Sequence, residues 1–269
     1  MKLAIYQVDA FTDRLFSGNA AAVVPLAAWL DDSQLLLIAQ ENNLSETAYL
    51  LELGTGHYFI RWFSPITEID FCGHATLASA FVLFQLQPEL TELRFSTKAV
   101  GDLTVTKQGD WLQMNFPQRL ALPVAEVPAA LFEALGVAPL KVLRSAQAWF
   151  AIYDNAAQVA ALTPDMQLLK QLGPWDMVAT APGLGFKEGQ YDFVSRYFWP
   201  ANGGDEDPVT GSIHAGLVPY WAEQLGKTEL LAYQASQRGG VLRCELQKDR
   251  VLVSGQAVLY LQGEIYLKS

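Results

Sequence analysis

"DFCGHATLASAFVLF", Asp70 to Phe84, sets a cysteine, a glycine and a histidine directly ahead of an almost unbroken apolar run. Ala75, Leu77, Ala78, Phe81, Val82, Leu83 and Phe84 cover nearly every face of a helix, which predicts a helix over 73–86 that is buried all round. Most of the remaining elements read as short strands rich in β-branched and aromatic residues, over 3–8, 59–63, 103–106, 111–116, 149–153, 193–199 and 251–254. Sheet is therefore the element left to wrap this helix. Further helices are expected over 31–40, 127–135, 164–172 and 211–225, several opening with Asp, Thr or Pro.

The chain repeats itself. Arg61-Trp62-Phe63-Ser64-Pro65 returns 135 residues later as Arg196-Tyr197-Phe198-Trp199-Pro200, and "NAAAVVPL" from Asn19 returns 136 residues later as "NAAQVAAL" from Asn155. Gly73, at the start of the apolar helix, has a counterpart in Gly211, shifted by 138. Three matches at nearly constant offset and in the same order predict two related halves. The expected division is 1–117, with about 258–269 added back, against 118–257, and "PQRLALPVAEVPAA" from Pro117 is the candidate linker. The counterpart helix carries Pro219, which is expected to kink or shorten it because the ring removes a hydrogen bond.

Bulk composition excludes several classes. With 51% hydrophobic residues, 269 residues can build a large core, and a formal charge of -10 repels phosphate backbones and anionic lipid. Neither nucleic acid nor a membrane is an expected partner. "MKLAIYQVDAF" meets Gln7 and Asp9 before any long apolar stretch, so no secretory leader is expected, and no window reaches the roughly 18 apolar residues of a span. Two cysteines, Cys72 and Cys244, point to no disulfide framework and to a reducing cytoplasm.

A glycine that opens a buried helix leaves backbone N–H groups pointing outward at the positive end of the helix dipole. Gly73 and Gly211 would form two such donor sets, suited to a carboxylate or an enolate-like oxygen, unless both merely permit tight turns. Glu46, between Ser45 and Thr47 in "NNLSETAYL", has apolar neighbours that would hold a carboxylate partly out of water, as a general acid or base requires; the alternative is a capping or surface glutamate. His74 follows Gly73 as Ser212 follows Gly211, and an imidazole there could shuttle a proton or serve as a buried structural histidine. In "GGDEDPVTGSIHAG", from Gly203, Asp207 and Ser212 are placed to reach one spot, Ser212 with a possible capping role, whereas Asp205 and Glu206 read as solvated loop charges and His214 as a satisfied histidine inside the helix. His57, His74, His214 and Cys72 show no recognised metal-ligand spacing, so no metal site is expected.

"GNAAAVV" from Gly18, "NLSETAYL" from Asn43, "CGHATLASA" from Cys72, "RYFWPANGGDEDPVTGSIHAG" from Arg196 and "VPYWAEQLG" from Val218 together resemble the phenazine-biosynthesis isomerase (PhzF-like) family over essentially the whole chain. The resemblance implies an α/β (α+β) fold like that of diaminopimelate epimerase. It has two pseudo-symmetric domains, each a curled, mostly antiparallel sheet around a central helix, with the active site in the cleft between them, and is commonly a homodimer. It also implies cofactor-independent proton transfer on a small anionic, cyclic substrate. Glu46 would move the proton, His74, Asp207 and Ser212 would assist, and Asn19, Ser45, Gly73, Thr210 and Gly211 would line the substrate.

Related epimerases and racemases use one thiol from each half. Cys72 occupies the first position, but Thr210 occupies the second and cannot form a thiolate, so Cys72 is expected to be a small buried residue at the helix start. Two alternatives stay open: an amino- or hydroxy-acid epimerase using Cys72, and a non-catalytic small-molecule-binding protein.

Overall fold

In the computed structural model, which describes residues 1–187 and 190–267, the chain forms two compact units. The first holds Met1–Asn115 and the chain from Ser254 onward and the second is Phe116–Val253; the strands over 111–117 and 250–255 cross the boundaries and are described with the unit that holds most of each. The first unit contains β1 (Lys2–Ala10), β2 (Asn19–Leu26), α1 (Asp32–Asn42), β3 (Glu46–Gly54), β4 (His57–Phe63), β5 (Glu68–Ile69), α2 (Gly73–Leu86), β6 (Glu92–Ser96), β7 (Asp102–Gln108) and β8 (Trp111–Pro117). β1 runs antiparallel to β2, β2 parallel to β3, β3 antiparallel to β4, and β4 antiparallel to β5 but parallel to β6. An antiparallel β6, β7 and β8 meander follows.

The second unit contains β9 (Leu122–Pro123), α3 (Ala129–Leu135), β10 (Lys141–Arg144), β11 (Ala148–Ile152), α4 (Ala156–Ala161), α5 (Met166–Lys170), β12 (Asp176–Pro182), β13 (Phe193–Trp199), β14 (Gly204–Asp207), α6 (His214–Leu225), β15 (Glu229–Gln234), β16 (Gly240–Gln247) and β17 (Arg250–Gly255). From β10 the pairing senses repeat those from β1: antiparallel to β11, then parallel to β12, then antiparallel to β13. β13 in turn is antiparallel to β14 and parallel to β15, which is antiparallel to β16. A last strand, β18 (Ala257–Tyr266), lies antiparallel to β1 in the first unit.

The repeat extends to side chains. Arg61 grips Glu68 through Nε and Nη2 at 2.7 and 2.8 Å, and Arg196 grips Glu206 through the same two nitrogens at the same distances. Each arginine thus ties its strand to the short strand after it by a paired, charge-assisted contact. Glu206 is therefore a half-buried brace, in place of the solvated loop charge expected.

One match fails. Asn19 opens strand β2, whereas Asn155 caps helix α4, its side-chain oxygen accepting from the Ala157 N–H at 2.7 Å. Asparagine is a strong helix N-cap, and the residues after Asn155 obey that local signal. The topological counterpart of β2 is β11 instead.

Helix α2 spans the predicted residues, and all of it from Gly73 to Phe84 except Phe81 is buried, against β1, β2, β3 and β18. Helix α6 begins three residues later than predicted. Gly211-Ser212-Ile213 form a tight turn in which His214 N–H donates to the Gly211 carbonyl at 3.2 Å and Ala215 N–H to the Ser212 carbonyl at 3.1 Å, and regular α-helix starts at His214. Nor does Pro219 break this helix. The Ala215 carbonyl, which would accept from a residue with an N–H at 219, accepts from the Arg119 backbone N–H at 2.9 Å. The missing donor is replaced from outside the helix.

Candidate active site

The turn that ends α1 places Glu46. Asn43 closes that helix in the left-handed region (φ 48°), and three residues further on the chain enters β3 at Glu46. Parallel pairing of β3 with β2 sets Glu46 opposite Ala21, two residues from Asn19. Asn19 itself is aimed by Gly18, whose φ of 65° and closeness to the Ala10 carbonyl leave no room for a Cβ.

These strands deliver Glu46 and Asn19 to the start of α2, where His74 lies. Glu46 Oε2 is 3.0 Å from His74 Nε2, and both side chains are only 5% exposed. On the other side of the ring, Nδ1 lies 3.0 Å from the Asn19 amide nitrogen and 3.4 Å from Cys72 Sγ. Glu46, Cys72 and His74 each bring a ligating atom to within 4.8 Å of the other two. Sequence spacing gave no sign of this cluster, because its glutamate is 28 residues from its histidine.

Close as it is, Glu46 Oε2 has no aligned hydrogen bond, so a buried carboxylate oxygen stands with acceptor capacity unspent. Burial opposes charge on His74, but Cys72 and Glu46 favour it more strongly and hold the imidazole well above the ordinary histidine range. Burial and the Glu46 charge push the Cys72 thiol up to about 11, so at neutral pH it stays protonated. Cys72 is the N-cap residue of α2, yet its side chain makes no capping bond. Ser45, partly exposed, precedes Glu46 at the strand entrance, and Gly73 supplies the first N–H of the helix.

In the second unit the corresponding segment carries hydrogen-bonding groups and no thiol. Thr210 Oγ1 donates to Asp207 Oδ2. Gln234 clamps this pair: its oxygen accepts from the Thr210 N–H at 2.9 Å, and its nitrogen donates to the Asp207 carbonyl at 2.8 Å. Ser212 caps nothing. Its Oγ accepts from Gln147 Nε2 at 2.9 Å, and the same nitrogen donates to the Tyr197 hydroxyl at 2.9 Å. The Tyr197 hydroxyl in turn donates to Asp176, which Asn202 also holds. Burial raises both Tyr197 and Asp176. With both Gln147 amide hydrogens committed, the Ser212 hydroxyl keeps its own proton to give elsewhere.

Sequence reasoning missed Gln147, Gln234, Tyr197 and Asp176. Gln147, Gln234 and Asp176 are common residue types that no local motif singles out, and Tyr197, although inside the repeated Arg196–Pro200 stretch, carries no signal there of its hydroxyl's partners. His214 is the first residue of α6, not one turn inside; burial lowers its pKa to about 4, and Nδ1 lies 2.9 Å from the Thr210 carbonyl.

The profile of the phenazine biosynthesis-like protein family, PhzC-PhzF, matches residues 8–263. The chain belongs to this family. An uncharacterized isomerase of Pseudomonas aeruginosa is 48% identical over 268 residues, covering 99% of this chain and 100% of its own. The crystal structure of a PhzF-family phenazine biosynthesis protein from Enterococcus faecalis superposes with a TM-score of 0.93 at 42% identity, covering 99% of this chain and 100% of that one. A predicted epimerase of Pseudomonas aeruginosa, 21% identical with a TM-score of 0.74 over 99% of this chain and 100% of its own, shares the fold. The epimerase-like fold expected from the motifs is the one present, and the chain is an isomerase of the PhzF-like class. Among the described residues no helix is long and apolar enough to cross a membrane.

Proposed function

We propose that the protein is a cofactor-independent isomerase that moves a proton between carbons of a small anionic, cyclic substrate, with Glu46 as general acid and base. The observation that carries this reading is the buried Glu46–His74 pair, 3.0 Å apart and out of water. A carboxylate out of water and within reach of a bound C–H can take its proton and return it to another carbon of the same molecule. His74, held toward its charged form, puts positive charge beside the negative charge that develops on the substrate as the proton leaves. The N–H groups from Gly73, and those at Gly211, hold substrate oxygens.

Asn19 and Ser45 line the site in the first unit, and Asp207, Thr210 and Ser212 of the second unit are assigned to binding and assistance. Ser212, with its oxygen engaged by Gln147, acts as a donor and so favours an acceptor such as a carboxylate. The buried free thiols Cys72 and Cys244 suit a reducing cytoplasm. A second copy docks along β18, where Leu259, Tyr260, Leu261 and Tyr266 expose apolar surface; light scattering should give a dimer that Tyr260→Glu splits.

The test uses a metabolite extract incubated with enzyme in D2O and read by mass spectrometry. Wild type should label a carboxylated ring compound, and Glu46→Gln should leave it unlabelled while keeping the native near-ultraviolet dichroism. Equal labelling by both proteins overturns the reading.

A further inference from the structure

Asn202, Asp176, Tyr197, Gln147 and Ser212 form one chain of hydrogen bonds in the second unit, and its direction is fixed at one end. Asp176 accepts at both carboxylate oxygens, from Asn202 Nδ2 at 2.7 Å on Oδ1 and from the Tyr197 hydroxyl on Oδ2. An ionised carboxylate can only accept, so the Tyr197 proton is committed to Asp176. Burial and the Asp176 charge hold Tyr197 well above its ordinary value, so it keeps that proton at neutral pH. The Tyr197 oxygen is then left to accept, and Gln147 Nε2 donates to it at 2.9 Å. The other end of the amide agrees, because Gln147 Oε1 lies 3.4 Å from Arg119 Nη1, and a guanidinium has no acceptor to offer. Nε2 therefore faces inward, and its second hydrogen goes to Ser212 Oγ at 2.9 Å. Backbone ties the two ends together, since the Asp176 N–H donates to the Gln147 carbonyl at 3.2 Å.

We propose that Asp176, Tyr197 and Gln147 are positioning residues that fix the direction of this chain, so that Ser212 accepts from within the protein and gives its own proton to the ligand. The site then takes a group that only accepts at that point and turns away one that only donates. None of the three needs to touch the ligand. This rests on the reading above in which Ser212 meets the substrate, and it adds what decides the sense of that contact. The chain also shows how to reverse it. Asp176→Asn keeps the shape, and Asn202 still donates to its oxygen, so the new amide nitrogen faces Tyr197 and donates to it. Tyr197 then turns its proton to Gln147, which can receive it only through Oε1; the flipped amide accepts from Ser212, and the Ser212 oxygen meets the ligand as an acceptor. Charge alone predicts the opposite sign. Removing a negative charge from this unit favours an anionic ligand and penalises a cationic one.

The full-length protein is titrated with benzoate and with benzamidinium, planar ions of one shape that offer only acceptors and only donors, and both dissociation constants are read by calorimetry. Wild type should prefer benzoate, and Ser212→Ala should weaken its binding. Asp176→Asn should lower the preference for benzoate over benzamidinium by about tenfold or more, the weight of one hydrogen bond to a charged group, with near-ultraviolet dichroism unchanged. Tyr197→Phe, which cuts the chain, should lower the preference too, and adding Asp176→Asn to it should lower it no further. A wild type without preference for benzoate overturns the proposal, as does an unchanged or increased preference in Asp176→Asn, or an equal loss when Asp176→Asn is added to Tyr197→Phe. If Asp176→Asn does not fold, Tyr197→Phe decides alone, and a preference equal to that of wild type overturns the proposal. No turnover is read. A protein with the expected preferences that exchanges no proton loses the isomerase reading and keeps the positioning chain, and one that exchanges protons through Glu46 without preferring benzoate does the reverse.

Discussion

The starts of α2 and α6 occupy the same place in two copies of one pairing order, and they differ in almost every side chain they present. In the first unit the helix begins at the glycine itself, with a thiol before it, an imidazole after it and a carboxylate 3.0 Å from that imidazole. In the second, Gly211 starts a tight turn, the residue before it is a threonine bound to Asp207, and the histidine sits three residues on, buried in the helix. Architecture was duplicated; the thiol, imidazole and carboxylate lie in one copy, and the hydrogen-bonded threonine, serine and aspartate in the other. A paired-thiol mechanism needs matching groups from both copies, and the Thr210 side chain cannot supply one.

The largest expected effect tests that asymmetry directly. Glu46→Gln should lower solvent-proton exchange by at least about 10^2–10^4-fold, the usual contribution of a general acid or base, measured by deuterium incorporation. Asp207→Asn should cost less if the second unit binds and does not carry the proton. Next in size are the two helix cores. Leu77 on α2 and Leu217 on α6 are both fully buried, and truncating either to Ala should cost about 3 kcal/mol in denaturant unfolding. A change below about 1 kcal/mol in either would show that its helix is not packed as described.

The two histidines should titrate in opposite directions, which NMR of their ring protons can follow. His74 should hold its proton above the ordinary range, so its contribution to stability is present below pH 6.5 and lost as pH rises through the raised value. His214 should stay neutral until about pH 4. Between pH 6.5 and 4 the unfolded chain therefore binds a proton that the native His214 refuses. Stability falls with pH across that window by about 3 kcal/mol, at about 1.4 kcal/mol per unit. His214→Gln should flatten that part of the acid-unfolding curve. The smallest effect is Cys72→Ala, which should leave exchange within about threefold of wild type, since a thiol held at about 11 is a poor base at neutral pH. Complete loss would revive an epimerase that uses Cys72.

Much of the fold was legible because its signals are local. The apolar run after Gly73 marked α2 at both ends, and all seven predicted strands overlap observed ones. Chance letters misled where context decides. "NAAQVAAL" resembles β2 in composition, but Asn155 found a capping role and the segment coiled. Gly211 could have opened a helix or a turn, and only the bond from His214 back to its carbonyl distinguishes them. In the site, family motifs pointed to Glu46 and His74, yet no spacing rule foretold a cluster with Cys72, because β2, β3 and α2 must pair and pack before these residues meet. Gln147 and Gln234 were invisible for the same reason. Their role lies in which hydrogen goes to which oxygen.

The bond from the Arg119 backbone to the Ala215 carbonyl has a consequence for how this protein tolerates change. It depends on the main chain, so nearly any side chain at 119 preserves it, and only proline removes the donor. Insertion or deletion of a single residue just upstream is another matter. Such a slip would carry the amide out of reach and leave a helix with an orphaned oxygen beside its proline, so related chains should hold this residue's count from β8 more strictly than its identity.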